Sequence, residues 1–213
     1  MIKVLIADDH PVVREGLKQI LSKATDMIVG GEALNGQEVL DKVRSEKWDV
    51  IILDLNMPGK DGFEVLKEIR REKSKLPILI LSIQSEEQIG VRVLRAGASG
   101  FLSKESAPKE LLNAIRKIHT GGKFVSASLA ERLAMEVEAK TDEEPHKLLS
   151  NREYQVLCLI ASGKTINEIA DQLSISDKTV RTYRERLLEK MKLKNDVELT
   201  HYAIQHKLIE PLS

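Results

Sequence analysis

The segment VIILDLNMPGKDGFEVLKEI, residues 50–69, contains the pattern from which the fold of this chain can be predicted. Its first four residues are all apolar, which is typical of a strand buried on both faces of a sheet. Further along, Val65, Leu66 and Ile69 lie at helical spacing, which indicates an amphipathic helix. The segment therefore predicts one strand–helix unit of a parallel sheet.

The same alternation extends outward over about the first 120 residues. Short apolar runs predict further strands at residues 2–7, 27–31, 78–81 and 100–102, with helical patterns between them. Five strands that alternate with five helices predict an α/β fold of the flavodoxin-like, doubly wound type, with helices on both faces of a parallel sheet. We expect the strand order 2-1-3-4-5.

Breaker residues divide the chain into two domains. Gly121 and Gly122 end the fifth helix, so the α/β domain is expected at residues 1–122. A linker at residues 123–147 follows, with a helix at residues 126–140 and then an acidic loop. Residues 148–213 are expected to form a small all-α domain of four helices.

The helix starts of this second domain indicate a helix-turn-helix. The sequences SNRE at residues 150–153 and TINE at residues 165–168 match the capping box, and NDVE at residues 195–198 is a weaker version. The tripeptide SIS at residues 174–176 separates the second helix from the third. That short separation suits a helix-turn-helix.

Composition narrows the functional class. The chain has 33 basic and 33 acidic residues, but residues 177–194 hold seven basic and three acidic ones, a pattern typical of a DNA-reading helix on a neutral protein. The single Cys158 excludes an internal disulfide, and its apolar neighbours predict a buried role. No apolar run reaches the ~18–20 residues of a membrane span, and the N-terminus lacks signal-peptide organisation. We therefore expect a cytoplasmic protein with no membrane partner.

Acidic residues follow two of the predicted strands. Asp8 and Asp9 end the first strand, and Asp54 ends the third. Ligands of an open parallel sheet bind beyond the carboxyl ends of its strands, and in the expected order these two strands are neighbours. The three carboxylates therefore predict a site for a hard divalent cation, for which Mg²⁺ is the natural occupant.

Two further polar residues are expected at the same edge. Lys104 follows the fifth strand, and Ser82 ends the fourth. Each residue alone has a simpler interpretation: Asp9 before Pro11 fits a helix cap, and Lys104 fits a solvated surface lysine. Their joint occurrence at successive strand ends favours a functional site.

These strand ends carry motifs by which residues 2–120 resemble bacterial receiver domains. The motifs are DDH at residues 8–10, LDLNMPGKDG at residues 53–62, LS at residues 81–82 and GFLSK at residues 100–104.

The resemblance implies a phosphorylation site. Asp54 would be the phosphoacceptor, attacking a phosphohistidine of a sensor histidine kinase. Asp9, Asp54 and the backbone carbonyl of Asn56 would hold Mg²⁺, with Asp8 orienting a metal-bound water. Mg²⁺ and Lys104 would supply the positive charge that phosphoryl transfer requires.

The resemblance also implies an output switch at Ser82 and Phe101. In receivers, the hydroxyl at the Ser82 position moves to the phosphoryl group, and the aromatic ring at the Phe101 position then turns inward. Such a switch is a population shift between two packings. A static core role for Phe101 is the alternative.

The third helix of the second domain is the expected DNA-reading element. Val180, Leu187 and Met191 share its buried face, and the opposite face suits a major groove; a solvated charged face is the alternative. Residues 149–209 resemble LuxR-type helix-turn-helix domains, with LSNRE at residues 149–153 and KTVR at residues 178–181 among the matches. The residues expected to contact DNA are Lys178, Thr179, Arg181, Thr182, Tyr183, Arg184, Glu185 and Lys190.

Three residues depart from the LuxR-type pattern. Tyr183 stands where histidine is common, Asp196 where a basic residue is common, and Glu185 where a small or basic residue is common. Glu185 could accept from a cytosine amino group or pair with Arg181. The C-terminal helix is the expected dimer contact, through Val197, Leu199, Ala203 and Ile204.

The whole chain is thus interpreted as a transcription regulator whose only enzymology is phosphorylation and dephosphorylation of Asp54. Phosphorylation would produce a homodimer on promoter DNA, and RNA polymerase is a further candidate partner. Two alternatives stay open. One is a Mg²⁺-dependent phosphohydrolase, although such enzymes usually carry an Asp-x-Asp loop and a cap domain. The other is a constitutive DNA-binding regulator whose first domain is only a scaffold.

Overall fold

The computed structural model describes residues 1–83, 86–138, 145–206 and 208–209, and its contacts group the chain into two compact units, Met1–Ala134 and Met135–Ser213. The predicted linker and second domain include residues 139–144, 207 and 210–213, which lie outside the described residues. Each unit is described by itself.

The first unit contains a five-stranded parallel sheet with the order β2-β1-β3-β4-β5, which confirms the predicted fold and strand order. The strands are β1 (Ile2–Ala7), β2 (Met27–Ala33), β3 (Val50–Asp54), β4 (Ile78–Ser82) and β5 (Gly100–Ser103). The helices are α1 (Pro11–Leu21), α2 (Gly36–Ser45), α3 (Gly62–Glu72), α4 (Glu86–Arg95) and α5 (Ala107–His119).

The central strands are buried because helices cover both faces of the sheet. Every residue of β3 and β4 is buried, as their unbroken apolar runs predict. On one face, Leu111 and Ile115 of α5 pack with Val4 and Ile6 of β1 in a continuous core. This packing holds the strand ends at one edge, where the polar residues collect.

The outer edge of β5 is paired with residues that follow α5. Phe124 forms a parallel bridge with Gly100; its amide donates to the Ser99 carbonyl at 3.1 Å, and its carbonyl accepts from Phe101 N at 3.0 Å. The contacts of the first unit thus continue into the predicted linker. Its predicted helix corresponds to α6 (Ala127–Glu138).

A glycine permits close packing at the carboxyl end of β3. A Cβ on Gly62, the first residue of α3, would lie 2.6 Å from the Asp54 carbonyl oxygen and 2.6 Å from the Leu55 Cα. We expect Gly62→Ala to lower the unfolding free energy of this unit by about 1–3 kcal/mol, since backbone atoms must move to admit the methyl group.

The control for this prediction is Gly16→Ala, in the interior of α1. A Cβ there meets no described atom within 4 Å, so alanine should raise stability by about 0.5–1 kcal/mol. Urea unfolding followed by the fluorescence of the single Trp48, which is buried in this unit, reports both changes. Equal effects of the two substitutions would contradict the steric argument.

The second unit contains the four predicted helices, preceded by a short 3-10 turn at Pro145–Leu148. They are α7 (Asn151–Ala161), α8 (Ile166–Leu173), α9 (Asp177–Met191) and α10 (Asp196–Gln205). Both capping boxes are present, with Ser150 and Thr165 as N-cap residues. Cys158 is buried, as predicted.

Candidate functional site

The predicted carboxylates meet at one edge of the sheet. Ala7 pairs with Leu53 in the parallel β1–β3 ladder, so the acids that follow these residues become neighbours. Ligand atoms of Asp8, Asp9, His10 and Asp54 all lie within 4.8 Å of one another. We call these four residues the acidic pocket.

Lys104 reaches into the acidic pocket from the end of β5. Its Nζ lies 2.8 Å from Asp54 Oδ2 and 2.7 Å from Asp8 Oδ2. The Lys104 amide donates to the Ser82 carbonyl at 2.9 Å, which ties the lysine to the end of β4. Ser82 itself is fully buried one residue beyond Leu81, the pairing partner of Asp54.

The ionisation of the pocket reflects burial and close charges. Burial raises the pKa of Asp54, and the neighbouring Asp8 adds to this increase, while Lys104 opposes it. Burial works against the charge of Lys104, but Asp54 and Asp8 outweigh it and raise the pKa of the ammonium group. The ammonium therefore stays charged and neutralises part of the carboxylate repulsion.

The donors of the acidic pocket fit a divalent cation. Asp8 Oδ2 and Asp9 Oδ1 are buried and accept no hydrogen bond of good geometry from the described residues, although Lys104 Nζ and His10 Nδ1, respectively, lie 2.7 Å from them. Asn56 is buried, and its backbone N–H donates to Asp54 Oδ1 at 3.1 Å. This bond holds the loop after β3 against the pocket. Buried oxygen donors without hydrogen bonds suit a hard cation.

Two residues at this pocket were missed by the sequence analysis. His10 points its Nδ1 at Asp9 Oδ1, 2.7 Å away, and Arg14 donates to the Asp8 carbonyl at 2.9 Å and to Glu32 at 2.8 Å. His10, not Asp9, is the N-cap residue of α1. The helix-cap interpretation of Asp9 is therefore wrong.

Phe101, the predicted switch residue, lies in β5 with 2% of its surface exposed. Its amide is held by the Phe124 carbonyl on the outer edge of the strand. The ring thus belongs to the buried part of the first unit, beside the residues that lead into α6.

In the second unit, α9 presents an exposed polar face opposite its buried Val180, Leu187 and Met191. Lys178, Arg181 and Glu185 are exposed on it, and the half-buried Thr182 donates to the Lys178 carbonyl at 3.0 Å. Further exposed residues at this face are Arg186 and Glu189; the sequence analysis did not place Arg186 among the DNA contacts.

Three further predicted DNA contacts, besides Thr182, have partners inside the unit. Arg184 Nε donates to Asp196 at 2.8 Å, which accounts for the acidic residue at position 196. The Thr179 hydroxyl lies 2.8 Å from that of Ser176, the N-cap residue of α9. Lys190 pairs with Glu153 of α7 at 2.7 Å. These contacts shape α9 and leave its central face to the other predicted residues.

The Lys190–Glu153 pair makes the stability of this unit pH-dependent. Burial raises the pKa of Glu153, but hydrogen bonds from Lys190 and Ser150 outweigh it, so the pKa lies below its ordinary value of 4.5. A carboxyl group with a lowered folded-state pKa stabilises the fold above its unfolded pKa, and this contribution is lost as pH falls through the folded pKa.

We expect Lys190→Gln to lower the unfolding free energy of the second unit by about 1 kcal/mol at neutral pH, because the exposed lysine is partly screened. The difference from wild type should shrink below pH ~4.5, as Glu153 becomes protonated. All three tyrosines lie in this unit, so tyrosine fluorescence during urea unfolding measures it separately from Trp48. Lys194→Gln, at an exposed lysine, is the control; a pH-independent deficit in Lys190→Gln would contradict the assignment.

The predicted dimer contact on α10 requires correction. Leu199 and Ala203 are fully buried within the unit, because they pack against the other helices. Val197 and Ile204 are 78% and 41% exposed, and only these two of the four can meet a second copy.

Among the described helices, none is long and apolar enough to span a membrane.

The chain matches two protein families over most of its length. Residues 4–116 match the response regulator receiver domain, and residues 147–203 match the LuxR family of bacterial regulatory proteins. The response regulator UvrY of Escherichia coli K12 is 39% identical over 98% of this chain and 96% of UvrY. The response regulator GacA of Pseudomonas aeruginosa PAO1 is 34% identical over the whole of both chains.

Solved structures of the response regulator RcsB are also similar to this chain. One from Salmonella typhimurium, described in terms of conformational dynamism for DNA interaction, has a TM-score of 0.61 and 31% identity over 95% of this chain and 98% of RcsB. Another, bound to promoter rprA in the presence of the phosphomimetic BeF₃⁻, has a TM-score of 0.61 and 30% identity over 94% of this chain and 97% of RcsB. The chain therefore belongs to the response regulators, as a receiver domain followed by a regulatory domain of the LuxR family.

Proposed function

We propose that this response regulator controls transcription through phosphorylation of Asp54 by a sensor histidine kinase. The observation that carries the proposal is the position of Asp54, buried at the end of β3 with Lys104 Nζ at 2.8 Å and two further carboxylates beside it. A buried carboxylate in contact with a lysine ammonium group is a nucleophile held in one orientation.

Phosphoryl transfer requires positioning and charge neutralisation more than a strong base. An oxygen of Asp54 forms the new bond to phosphorus while the bond from phosphorus to the kinase imidazole nitrogen breaks. Lys104 then exchanges its contact with Asp54 for one with a phosphoryl oxygen. Asp9, Asp54 and the carbonyl of Asn56 would hold Mg²⁺, with Asp8 beside them; when bound, the ion supplies positive charge to the phosphoryl oxygens.

The buried Ser82 and Phe101 are the proposed output of this site. The Ser82 hydroxyl at the end of β4 would turn toward the phosphoryl group, and the Phe101 ring on the adjacent β5 would fill the space that it vacates. Such a change biases an equilibrium between two packings of the β4–β5 edge.

The α9 face is the proposed reader of promoter DNA, and a cytoplasmic location of the chain is part of the same proposal. Exposed Lys178 and Arg181 supply phosphate or guanine contacts, and Glu185 can accept from a cytosine amino group. A homodimer through Val197 and Ile204 would set two α9 helices on half-sites about 10 base pairs apart. The promoter complex of RcsB with a phosphomimetic, and the two RcsB dimers bound to two parallel DNAs, support this arrangement.

The test treats the full chain with a small acyl phosphate and Mg²⁺ and measures both phosphorylation by mass spectrometry and affinity for promoter fragments by anisotropy. We expect one acid-stable, base-labile phosphoryl group and at least about tenfold tighter DNA binding. Binding that is unchanged by phosphorylation would favour a constitutive regulator. Sustained turnover of small phosphate esters would favour the phosphohydrolase alternative.

A further inference from the structure

The start of α1 carries a histidine that phosphoryl transfer does not use. His10 occupies the N-cap position before Pro11, but its side chain makes no capping hydrogen bond with the described residues. Histidine is not among the residues preferred at N-caps, which are Ser, Thr, Asp, Asn and Gly. A requirement of the helix start therefore does not explain this residue, and its imidazole lies at the acidic pocket instead.

The His10 ring nitrogen lies close to carboxylate oxygens that could share one ion with it. Its Nδ1 lies 2.7 Å from Asp9 Oδ1 and 3.2 Å from Asp8 Oδ1, and an oxygen of Asp54 completes a set within 4.8 Å. Ligands with bonds of about 2.1 Å at right angles around one ion are about 3 Å apart. The Asp8 Oδ1 atom also accepts from His10 N at 2.8 Å, which fixes the backbone that carries the ring.

The donor set includes an imidazole nitrogen, which is not a ligand that Mg²⁺ prefers. Mg²⁺ takes oxygen ligands and keeps several waters, whereas an imidazole nitrogen suits divalent ions of the d-block, with affinity rising from Mn²⁺ to Ni²⁺. We infer that His10 is a direct ligand for a d-block divalent cation in the acidic pocket, bound together with the carboxylates of Asp9 and Asp54. This inference rests on the proposed function for the location of the metal site, and adds a second class of ion that the site binds besides Mg²⁺.

The competing explanation of the same contacts is an ion pair between a protonated His10 and Asp9. The two explanations differ in what happens when metal is added. A ligand must bring its nitrogen into bonding distance of the ion, whereas an ion-pair partner is displaced from the pocket. Pulsed electron paramagnetic resonance of bound Mn²⁺ detects a directly bonded nitrogen, so it distinguishes the two.

The experiment uses the full-length protein freed of metal by chelation, at one fixed neutral pH. Mn²⁺, Ni²⁺ and Mg²⁺ are titrated into wild type, His10→Asn and the control His119→Asn, which removes an exposed histidine at the end of α5. Asparagine is a favoured N-cap residue, so α1 should form in the variant; Trp48 unfolding curves check this.

We expect nitrogen modulation of bound Mn²⁺ in wild type and His119→Asn, and its loss in His10→Asn. The Kd for Mn²⁺ should rise about tenfold in His10→Asn and the Kd for Ni²⁺ by more, while that for Mg²⁺ stays within about twofold. The inference would be overturned if His10→Asn bound Mn²⁺ and Ni²⁺ as tightly as the wild type and if the wild type showed no nitrogen modulation.

Labelling of Asp54 by a small acyl phosphate with Mg²⁺, measured on the same samples, separates this inference from the proposed function. Labelling without nitrogen modulation would remove only the role of His10. Nitrogen modulation without labelling would leave the metal site and remove the phosphorylation function.

Discussion

Asp54→Asn should abolish both phosphate incorporation and the gain in DNA affinity that an acyl phosphate produces in the wild type. An amide oxygen is not an ionised nucleophile, and no other carboxylate of the acidic pocket ends β3 beside Lys104. The expected loss is complete for labelling, as read by intact mass. In anisotropy titrations, the treated variant should bind DNA as weakly as the untreated wild type.

A fold defect would not explain this result. Burial raises the pKa of Asp54, which means that its ionised form costs folding free energy, so asparagine should leave the first unit at least as stable as the wild type. Urea unfolding followed by Trp48 checks this. Residual labelling of Asp54→Asn on Asp8 or Asp9 would show that the nucleophile is not confined to position 54.

Arg181→Ala should weaken DNA binding by about 10- to 100-fold and reduce the salt dependence of the affinity by about one unit of slope for each protomer. Arg181 is exposed on α9, whereas Arg184, one turn further, is already engaged by Asp196 at 2.8 Å. Arg184→Ala removes the same charge and is therefore the matched control. It should change the affinity by less than about threefold, since an exposed ion pair contributes little.

Anisotropy titrations at several salt concentrations measure both quantities for the two variants. A larger loss in Arg184→Ala than in Arg181→Ala would mean that Arg184 leaves Asp196 on binding and reads DNA itself. Tyrosine-monitored unfolding shows whether either variant alters the second unit. The comparison thus locates the DNA-reading face of α9 without knowledge of the operator.

The convergence of Asp8, Asp9 and Asp54 could be predicted because side chains at the carboxyl ends of adjacent parallel strands meet at one edge. The same reasoning predicted Lys104. The direction of the His10 ring could not be predicted, since it depends on the dihedral angles of a loop that no spacing rule describes.

Contacts between helices that are distant in the sequence could not be predicted either. Lys190 was assigned to DNA because the sequence shows its charge but not its pairing with Glu153. Glu153 lies 37 residues earlier and becomes the partner of Lys190 only when α7 and α9 pack. Leu199 and Ala203 were expected at a dimer contact because an apolar stripe on a helix fits the core of its own domain as well as an interface.

The pairing of Phe124 with β5 has a consequence for fragments of this chain. An unpaired strand edge is a template for the strand of another molecule and promotes aggregation. A fragment that ends at residue 122, where the glycines suggest a boundary, would expose the edge groups of Ser99 and Phe101 that Phe124 pairs. A fragment that ends at Ala134 keeps this edge covered. Residues 123–134 therefore cover the edge of β5 and keep the receiver soluble, besides connecting it to the rest of the chain.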